Sequence, residues 1–410
     1  MRHPAAIIAL CLSAMFLGAS TDAAGAQARR QPTVPDTYKE VPFVEETPAP
    51  TLTAAEKALG YLLFQRPIMD PVYPNTHPLP HERLTGLSAF ATPGEFEPVT
   101  LSIYPVRDLK NLSVKVSALT CAEGVIPVAN LDVRLLTYWN IGYPRYTSRT
   151  TYRRTPELLE KVTAHSSPAQ ECQRWWITIK TPEDAKPGLY RGTVTVTDDT
   201  FPQGVQVPVA LRVLPFRLKK DPNKHYSAYY TIGNKVQLKG RDEAFIKRAL
   251  GNEYKAMVDL GIDACPTLYL LVEPKEDKLV INRVEEFERM LKAGMKGPIP
   301  LAGGNAISAI YRATTPDGKR GSHWRISKMP PPEFYTKVTE MFRALEQERK
   351  AKGWPELICC PLDEVDSSRK EFGAKTYQAV RDGGIRTYIT KNPVAADAAD
   401  YRSAIDIWCS

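Results

Sequence analysis

Two adjacent carboxylates near the C-terminal end of the chain are the residues best suited to chemistry. Asp363 and Glu364 come directly after a short apolar run, residues 357–362, and a helical pattern begins a few residues later. (β/α) barrels present catalytic groups in this way, at the point where a strand ends and a loop begins. Acidic residues also favour the first turn of an ordinary helix, which is the alternative interpretation. We predict a catalytic pair.

Metal-binding and cofactor motifs are missing from the sequence. The six histidines are scattered, and neither a CxxC nor an HExxH pattern occurs, so we expect no metal site and no cofactor. Cys359 and Cys360 lie side by side in an apolar run and are expected to be small core residues. Cys121 and Cys172 fall in the same predicted domain and could form a disulfide, which export from the cytoplasm would permit.

The composition is that of a globular protein with a basic surface. Apolar residues make up 43% of the chain and charged residues 24%, and the net charge is +8. We find no long run of Lys and Arg and no alternation of aromatic and basic residues, so a nucleic-acid partner is not expected. The length of 410 residues predicts two or three domains.

The N-terminus has the pattern of a secretory signal peptide. A short positive start is followed by the apolar residues 5–19, which are too few to span a bilayer. Small residues at 24–28 offer cleavage sites, and no other stretch approaches the length of a membrane span. We therefore predict a signal peptide over residues 1–26, a Pro-rich linker over 27–52, and an exported protein, periplasmic or extracellular.

Alternating apolar residues dominate the next part of the chain, which we assign to an N-terminal β-sandwich over residues 53–220. A capping box at Thr53 predicts a helix over 54–64, and a brief helical pattern covers 156–162. The predicted strands are 96–103, 112–119, 133–138, 175–179, 189–196 and 205–214.

From His225 onward, strands and helices alternate. The predicted strands are 225–230, 264–271, 298–302, 357–362, 386–390 and 405–409, and the helices are 243–260, 284–293, 333–352, 369–381 and 396–401, with an insertion at 303–332. This order predicts a (β/α)8-type barrel over residues 221–410. Since a typical barrel needs roughly 250 residues, the sequence predicts one that is incomplete after its sixth strand.

Short motifs give this layout a family resemblance. They are GEFEPVT at 94–100, GLYRGTV at 188–194, VLPF at 213–216, LDE at 362–364 and IDIW at 405–408. With these motifs, residues 55–410 resemble glycoside hydrolase family 123 and its relatives, in which a β-sandwich precedes a catalytic (β/α) barrel. The family commonly has Pro after the acidic pair, where this chain has Val365.

The resemblance implies a retaining exo-glycosidase that cleaves terminal β-linked N-acetylgalactosamine with help from the substrate's own 2-acetamido group. Glu364 would be the general acid/base, and Asp363 would orient and polarise the acetamido group. Consecutive strand residues point to opposite sides, so one carboxylate can reach the glycosidic oxygen while the other reaches the substituent at C2. A conventional retaining pair would instead flank the bond, with carboxyls about 5 Å apart.

Residues at the ends of other predicted strands are candidates for substrate binding. They are Tyr229 and Tyr230 after strand one, Asn305 after strand three and Trp408 in strand six. Their aromatic rings could stack on a sugar ring, and core packing is the alternative. The expected partner is a glycan, and the sequence leaves the oligomeric state open. A non-catalytic carbohydrate-binding protein, or an inactive truncated relative of the glycosidases, remains the alternative function.

Overall fold

The structure is a computed structural model. It describes residues 37–146, 148–228, 240–264, 268–275, 278–281, 284–315, 325–326, 328–365, 367–394 and 396–409. The predicted signal peptide lies outside these residues. The chain divides into two compact units between Lys219 and Lys220, which confirms a multidomain organisation.

The first unit is built almost entirely from strands. They are β1 (Lys39–Glu40), β2 (Tyr61–Phe64), β3 (Leu87–Ala91), β4 (Phe96–Pro105), β5 (Leu109–Val116), β6 (Leu119–Cys121), β7 (Gly124–Ile126), β8 (Leu131–Gly142), β9 (Thr151–Glu160), β10 (His165–Ser167), β11 (Gln173–Lys180), β12 (Gly188–Thr197) and β13 (Val205–Val213). The unit also contains a short helix, α1 (Ala54–Leu59), and 3-10 turns at Pro80–Glu82 and Val128–Asn130.

Two sheets of this unit share one hydrophobic core. One sheet has the order β1-β9-β8-β11-β4-β2, and the other has the order β10-β5-β12-β13-β3 with the hairpin β6–β7 beside β12. Alternate residues of each strand point inward, because side chains change face at every step along a strand. Trp175 and Leu101 from the first sheet thus pack with Val194 and Leu211 from the second.

Three local predictions for this unit are wrong. The first helix ends at Leu59, because Gly60 takes a left-handed φ of 79° and caps it, and the following residues form β2. The segment 156–162 is not helical, since residues 151–160 form β9 and pair with β8. Cys121 and Cys172 are both free cysteines, so the disulfide considered for them is not formed.

The second unit contains a curled sheet with helices. Its strands are β14 (Leu268–Lys275), β15 (Lys278–Ile281), β16 (Ile299–Ala302), β17 (Leu357–Cys360), β18 (Arg386–Thr390) and β19 (Ile407–Cys409). Its helices are α2 (Glu243–Asp259), α3 (Val284–Ala293), α4 (Gly304–Thr314), α5 (Pro332–Lys352) and α6 (Lys370–Asp382), with 3-10 segments at Ser367–Arg369 and Ala396–Ala404. No described helix is long and apolar enough to cross a membrane.

Five strands of the sheet are parallel, in the order β14-β16-β17-β18-β19, and β15 forms an antiparallel hairpin with β14 at one edge. One face of the sheet packs on the large core of this unit, to which Leu357 and Cys359 contribute. The other face carries a smaller apolar cluster that includes Ile358 and Tyr388. The central strand is therefore buried on both faces, as is typical of parallel sheets.

The alternation of strands and helices was predicted well, with two additions. Helix α4 lies inside the stretch predicted as an insertion, and β15 was not predicted. Of the predicted first strand, residues 225–228 are described and form no strand, while Tyr229 and Tyr230 lie outside the described residues. Within the part of the chain that is described, no pairing joins the β15 and β19 edges into a closed barrel.

Candidate active site

Strand β17 brings the acidic pair to the edge of the parallel sheet. The strand lies between β16 and β18, and all four of its residues are buried. It ends at Cys360, so Asp363 and Glu364 belong to the loop that follows and are both exposed. The C-terminal ends of neighbouring parallel strands meet at this edge, which is where α/β folds place their ligand sites.

Residues from both flanking strands and from α6 hold this loop. The Gly303 N–H, just after β16, donates a 2.9 Å hydrogen bond to the carbonyl of Cys360. The Tyr377 hydroxyl of α6 donates to the carbonyl of Leu362 at 2.6 Å. After β18, Lys391 Nζ donates to the carbonyl of Val365 at 2.9 Å. The backbone on both sides of the two carboxylates is therefore fixed by elements distant in sequence.

Thr390, the last residue of β18, contacts both members of the acidic pair. Its hydroxyl donates a short hydrogen bond to Asp363 Oδ1. Thr390 Oγ1 in turn accepts a weak hydrogen bond from the backbone N–H of Glu364 at 3.4 Å. One threonine side chain thus orients the Asp363 carboxylate and restrains the backbone of the next residue.

The backbone at Glu364 is strained. Its φ of 43° lies in the left-handed region, which costs a residue with a Cβ about 1–2 kcal/mol. Arg369 Nη2 donates to the carbonyl of Glu364 at 3.3 Å and helps to hold this conformation. The divergence of the two carboxylates was predicted from strand alternation, but both residues lie in a turn, so the turn sets their directions.

The buried thiol and hydroxyl groups beneath the loop have a packing role. Burial raises the pKa of the Cys359 thiol well above its ordinary value, and the neighbouring Cys360 adds to the effect. Burial and Cys360 likewise raise the pKa of Tyr377 well above its ordinary value. These groups remain protonated and act as core residues or hydrogen-bond donors, as predicted for the two cysteines.

The other predicted site residues are placed differently from one another. Asn305 is exposed in the first turn of α4, directly after β16, so it lies at the same sheet edge as Asp363. Trp408 is half-buried in β19, pairs with Ile389 and packs against the large core. That contact favours the core interpretation of Trp408. Tyr229 and Tyr230 lie outside the described residues.

Sequence reasoning missed Thr390 and Lys391. Both stand at the end of a strand that was predicted with the correct bounds, so the strand-end rule applied to the acidic pair could have found them. Among the described residues, no group of three or more His, Cys, Asp or Glu side chains could hold a metal ion.

Comparisons with known proteins bear on the same regions. A family model described as the glycoside hydrolase 123 N-terminal domain matches residues 79–198. The structure of a family 123 glycoside hydrolase from Clostridium perfringens, studied for glycolipid glycan hydrolysis, is 13% identical, with a TM-score of 0.56 over 76% of this chain and 60% of that one. This chain therefore spans less than two thirds of that protein, and at such identity the likeness shows the fold alone.

Two further solved structures have TM-scores well below 0.5, so they do not show a shared overall fold. A PapD-like domain of human CEP192 is 11% identical, with a TM-score of 0.20 over 33% of this chain and 84% of that one. A calcium-binding mutant of Bacteroides uniformis beta-glucuronidase 2 is 10% identical, with a TM-score of 0.25 over 85% and 36%. No curated protein matches the sequence. The family model over residues 79–198 and the similar fold confirm the predicted resemblance to glycoside hydrolase family 123.

Proposed function

We propose that this chain is a secreted retaining exo-glycosidase that removes terminal β-linked N-acetylgalactosamine by substrate-assisted catalysis. The observation that carries the proposal is the pair Asp363 and Glu364 at the C-terminal edge of a parallel sheet, with the Thr390 hydroxyl on the first carboxylate. The family 123 relationship supports a glycoside hydrolase, and a glycan is the substrate that such an enzyme requires.

The contacts of Asp363 suit the role of orienting an acetamido group. Its Oδ1 accepts the Thr390 hydroxyl, which leaves Oδ2 to accept the N–H of the substrate amide. Polarised in this way, the acetamido oxygen attacks the anomeric carbon while Glu364 donates a proton to the leaving oxygen. Glu364 then removes a proton from the water that opens the cyclic intermediate, so the product keeps the β configuration.

The proposal includes the finer architecture. We take the five parallel strands to be part of a (β/α)8-type barrel over residues 221–410, which follows a sandwich domain over 53–220. Residues 1–26 would direct export and would be cleaved from the exported protein. N-terminal sequencing of the protein secreted by an expression host tests the export proposal, because an uncleaved Met1 in the cell extract would contradict it.

Hydrolysis of an aryl β-N-acetylgalactosaminide tests the activity. Glu364→Gln should reduce turnover by roughly 10²–10⁴-fold, the usual contribution of a general acid. An activated aryl leaving group needs less protonation, so it should restore part of the loss in Glu364→Gln but not in Asp363→Asn. Glu371→Gln is the matched control, since Glu371 is exposed and forms an ion pair with Lys375 within α6. Equal rescue of both site variants would contradict the assigned roles.

One observation favours the alternative of a non-catalytic carbohydrate-binding protein. Both Asp363 and Glu364 are exposed, whereas a general acid usually stands in an enclosed apolar environment that keeps it protonated. Calorimetry with N-acetylgalactosamine separates the two functions. Binding of the sugar by a wild-type protein that releases no aryl alcohol would support the binding protein over the glycosidase.

A further inference from the structure

The hairpin of β8 and β9 in the first unit carries an unusual concentration of positive charge. Between Asp132 and Glu157 the sequence contains no Asp or Glu. The basic residues of the same stretch are all arginines: Arg134, Arg145, Arg149, Arg153 and Arg154. The two strands pair antiparallel from Leu135 opposite Glu160 to Gly142 opposite Tyr152. The pairing therefore gathers arginines that are dispersed in the sequence onto one hairpin.

The end of the hairpin is held by its own hydrogen bonds. The Tyr143 N–H donates to the carbonyl of Thr151 at 3.1 Å, and the Thr151 hydroxyl donates to the carbonyl of Tyr143 at 2.5 Å. A Cβ at Gly142 would lie only 2.8 Å from the carbonyl oxygen of Tyr146 and 2.9 Å from that of Arg145. The described residues of the loop thus fold closely over Gly142.

Carboxylates neutralise only the arginines farther from the loop. Arg134 contacts Asp132 at 2.5 Å, and Arg154 forms a two-point ion pair with Glu171 at 2.7 and 2.8 Å. These two guanidinium groups are therefore paired and do not contribute unbalanced charge.

Among the described residues, no carboxylate forms an ion pair with the arginines near the loop. The guanidinium of Arg153 lies 3.6 Å from the ring centre of Tyr143 and donates to the carbonyl of Val41. Arg145 and Arg149 are exposed, and no described carboxylate contacts them. The ring of Tyr146 is 76% exposed between them in sequence. We call Arg145, Tyr146, Arg149 and Arg153 the basic tip.

We propose that the basic tip is an accessory binding site for an acidic polysaccharide, one whose sugars carry sulfate or carboxylate groups. Guanidinium groups bind such anions through two parallel hydrogen bonds, and an exposed tyrosine ring can stack on the apolar face of a sugar. The choice of a polysaccharide over other polyanions rests on the proposed function. Nucleic-acid grooves usually offer a series of stacking rings, whereas the tip exposes one.

The decisive experiment compares dextran sulfate with uncharged dextran as probes for the full chain. Wild-type protein should bind the sulfated polymer only. The double variant Arg145→Gln/Arg149→Gln should bind at least ten-fold more weakly, which corresponds to about 1.4 kcal/mol. The matched control is Arg191→Gln/Arg212→Gln, which removes the same charge from two exposed arginines elsewhere in the sandwich and should bind within about two-fold of wild type.

Several results would overturn the proposal. Equal losses in the two double variants would show attraction to the overall positive charge, and absence of binding by the wild type would show that there is no such site. A single-stranded oligonucleotide or phosphatidylserine vesicles that bind as tightly, with the same loss in the tip variant, would assign the tip to another class of partner. Circular dichroism confirms that each variant is folded. Binding of dextran sulfate needs no hydrolysis. A negative binding result therefore leaves the proposed glycosidase activity standing, and a failed activity assay leaves the binding result standing.

Discussion

The buried guanidinium of Arg174 allows a sharp prediction about stability. The side chain is 1% exposed and has no carboxylate partner among the described residues. It donates to the backbone carbonyls of Asp70 at 2.7 Å, Arg66 at 2.8 Å and Pro67 at 3.0 Å, and to the Thr100 hydroxyl at 3.0 Å. Burial lowers the pKa of Arg174, and the charge of Arg66 lowers it further. The guanidinium is nevertheless charged at neutral pH, as arginines in proteins are.

The expected cost of Arg174→Met follows from these contacts. Hydrogen bonds to a charged group contribute about 1.5–3 kcal/mol each. The four together therefore offset the several kcal/mol that are needed to bury the guanidinium. Methionine fills much of the same space but removes all four donated hydrogen bonds. The carbonyl of Pro67 keeps the N–H of Asp70, whereas those of Arg66 and Asp70 lose the donor that Arg174 supplies. We expect the free energy of unfolding to fall by about 1–3 kcal/mol, because neutral acceptors lose their donors while the cost of burying the charge disappears.

Urea unfolding of the full chain, followed by tryptophan fluorescence, measures this loss. The fluorescence reports on the unit because Trp175, the next residue, lies in its core. Arg174→Lys should fall between the wild type and Arg174→Met, since one ammonium group cannot reach all four acceptors. Arg191→Met, at an exposed position of the other sheet, is the control and should stay within about 0.5 kcal/mol of wild type. A similarly small change in Arg174→Met would refute the reasoning.

Three further perturbations test the site and the charged groups. Thr390→Val removes the hydroxyl that orients Asp363, so kcat/KM for the aryl substrate should fall by about 10–100-fold at an unchanged melting temperature, and unaltered kinetics would contradict that role. A Cβ on Gly303 would lie 3.1 Å from the backbone of the acidic loop, so Gly303→Ala should lower the free energy of unfolding in urea by about 1–3 kcal/mol, whereas Gly251→Ala, in an open helical position, should not. Burial tends to raise the pKa of Glu82, but hydrogen bonds from an arginine and a backbone amide outweigh it and lower that pKa overall. Its contribution to stability is therefore complete above pH 4.5 and lost as the pH falls through the lower folded value, and urea titrations across this range should show a weaker pH dependence in Glu82→Gln.

The sequence correctly predicted the elements whose apolar residues are spaced to match the face that each element buries. Helix α3 and strand β18 have the predicted bounds, because their apolar spacing already fits the face that they bury. Residues 61–64 and 156–160 were predicted as helical, and each forms a strand instead. In both cases pairing with a neighbouring strand decides the conformation. For residues 61–64 the partner is β4, about 40 residues away, and for residues 156–160 it is β8, the other strand of the same hairpin.

In the candidate site, too, some residues could be predicted from local sequence signals and others could not. The acidic pair could be found from sequence because it follows the apolar run of β17 within a few residues, although the strand ends at Cys360 and not at the predicted Leu362. Thr390 is 27 residues away from Asp363, and only the parallel pairing of β17 with β18 brings the two side chains together. The basic tip was missed for a different reason, since its arginines lie within one hairpin but are irregularly spaced. Residues gathered by a loop or by long-range pairing leave no periodic signal in the chain.

The left-handed backbone at Glu364 separates the conformational role of this position from its chemistry. Glycine in place of alanine usually destabilises an ordered segment by about 0.5–1 kcal/mol, because the unfolded chain gains freedom. At a φ of 43° the order should reverse, since the strain of about 1–2 kcal/mol exists only for residues with a Cβ. We therefore expect Glu364→Gly to be more stable than Glu364→Ala by about 0.5–1 kcal/mol in thermal and urea unfolding. Both variants should lack turnover, because neither has the carboxyl group. If Glu364→Gly is the less stable of the two, the turn is not strained at this residue, and the position of the acid is set by the glutamate side chain rather than by the loop.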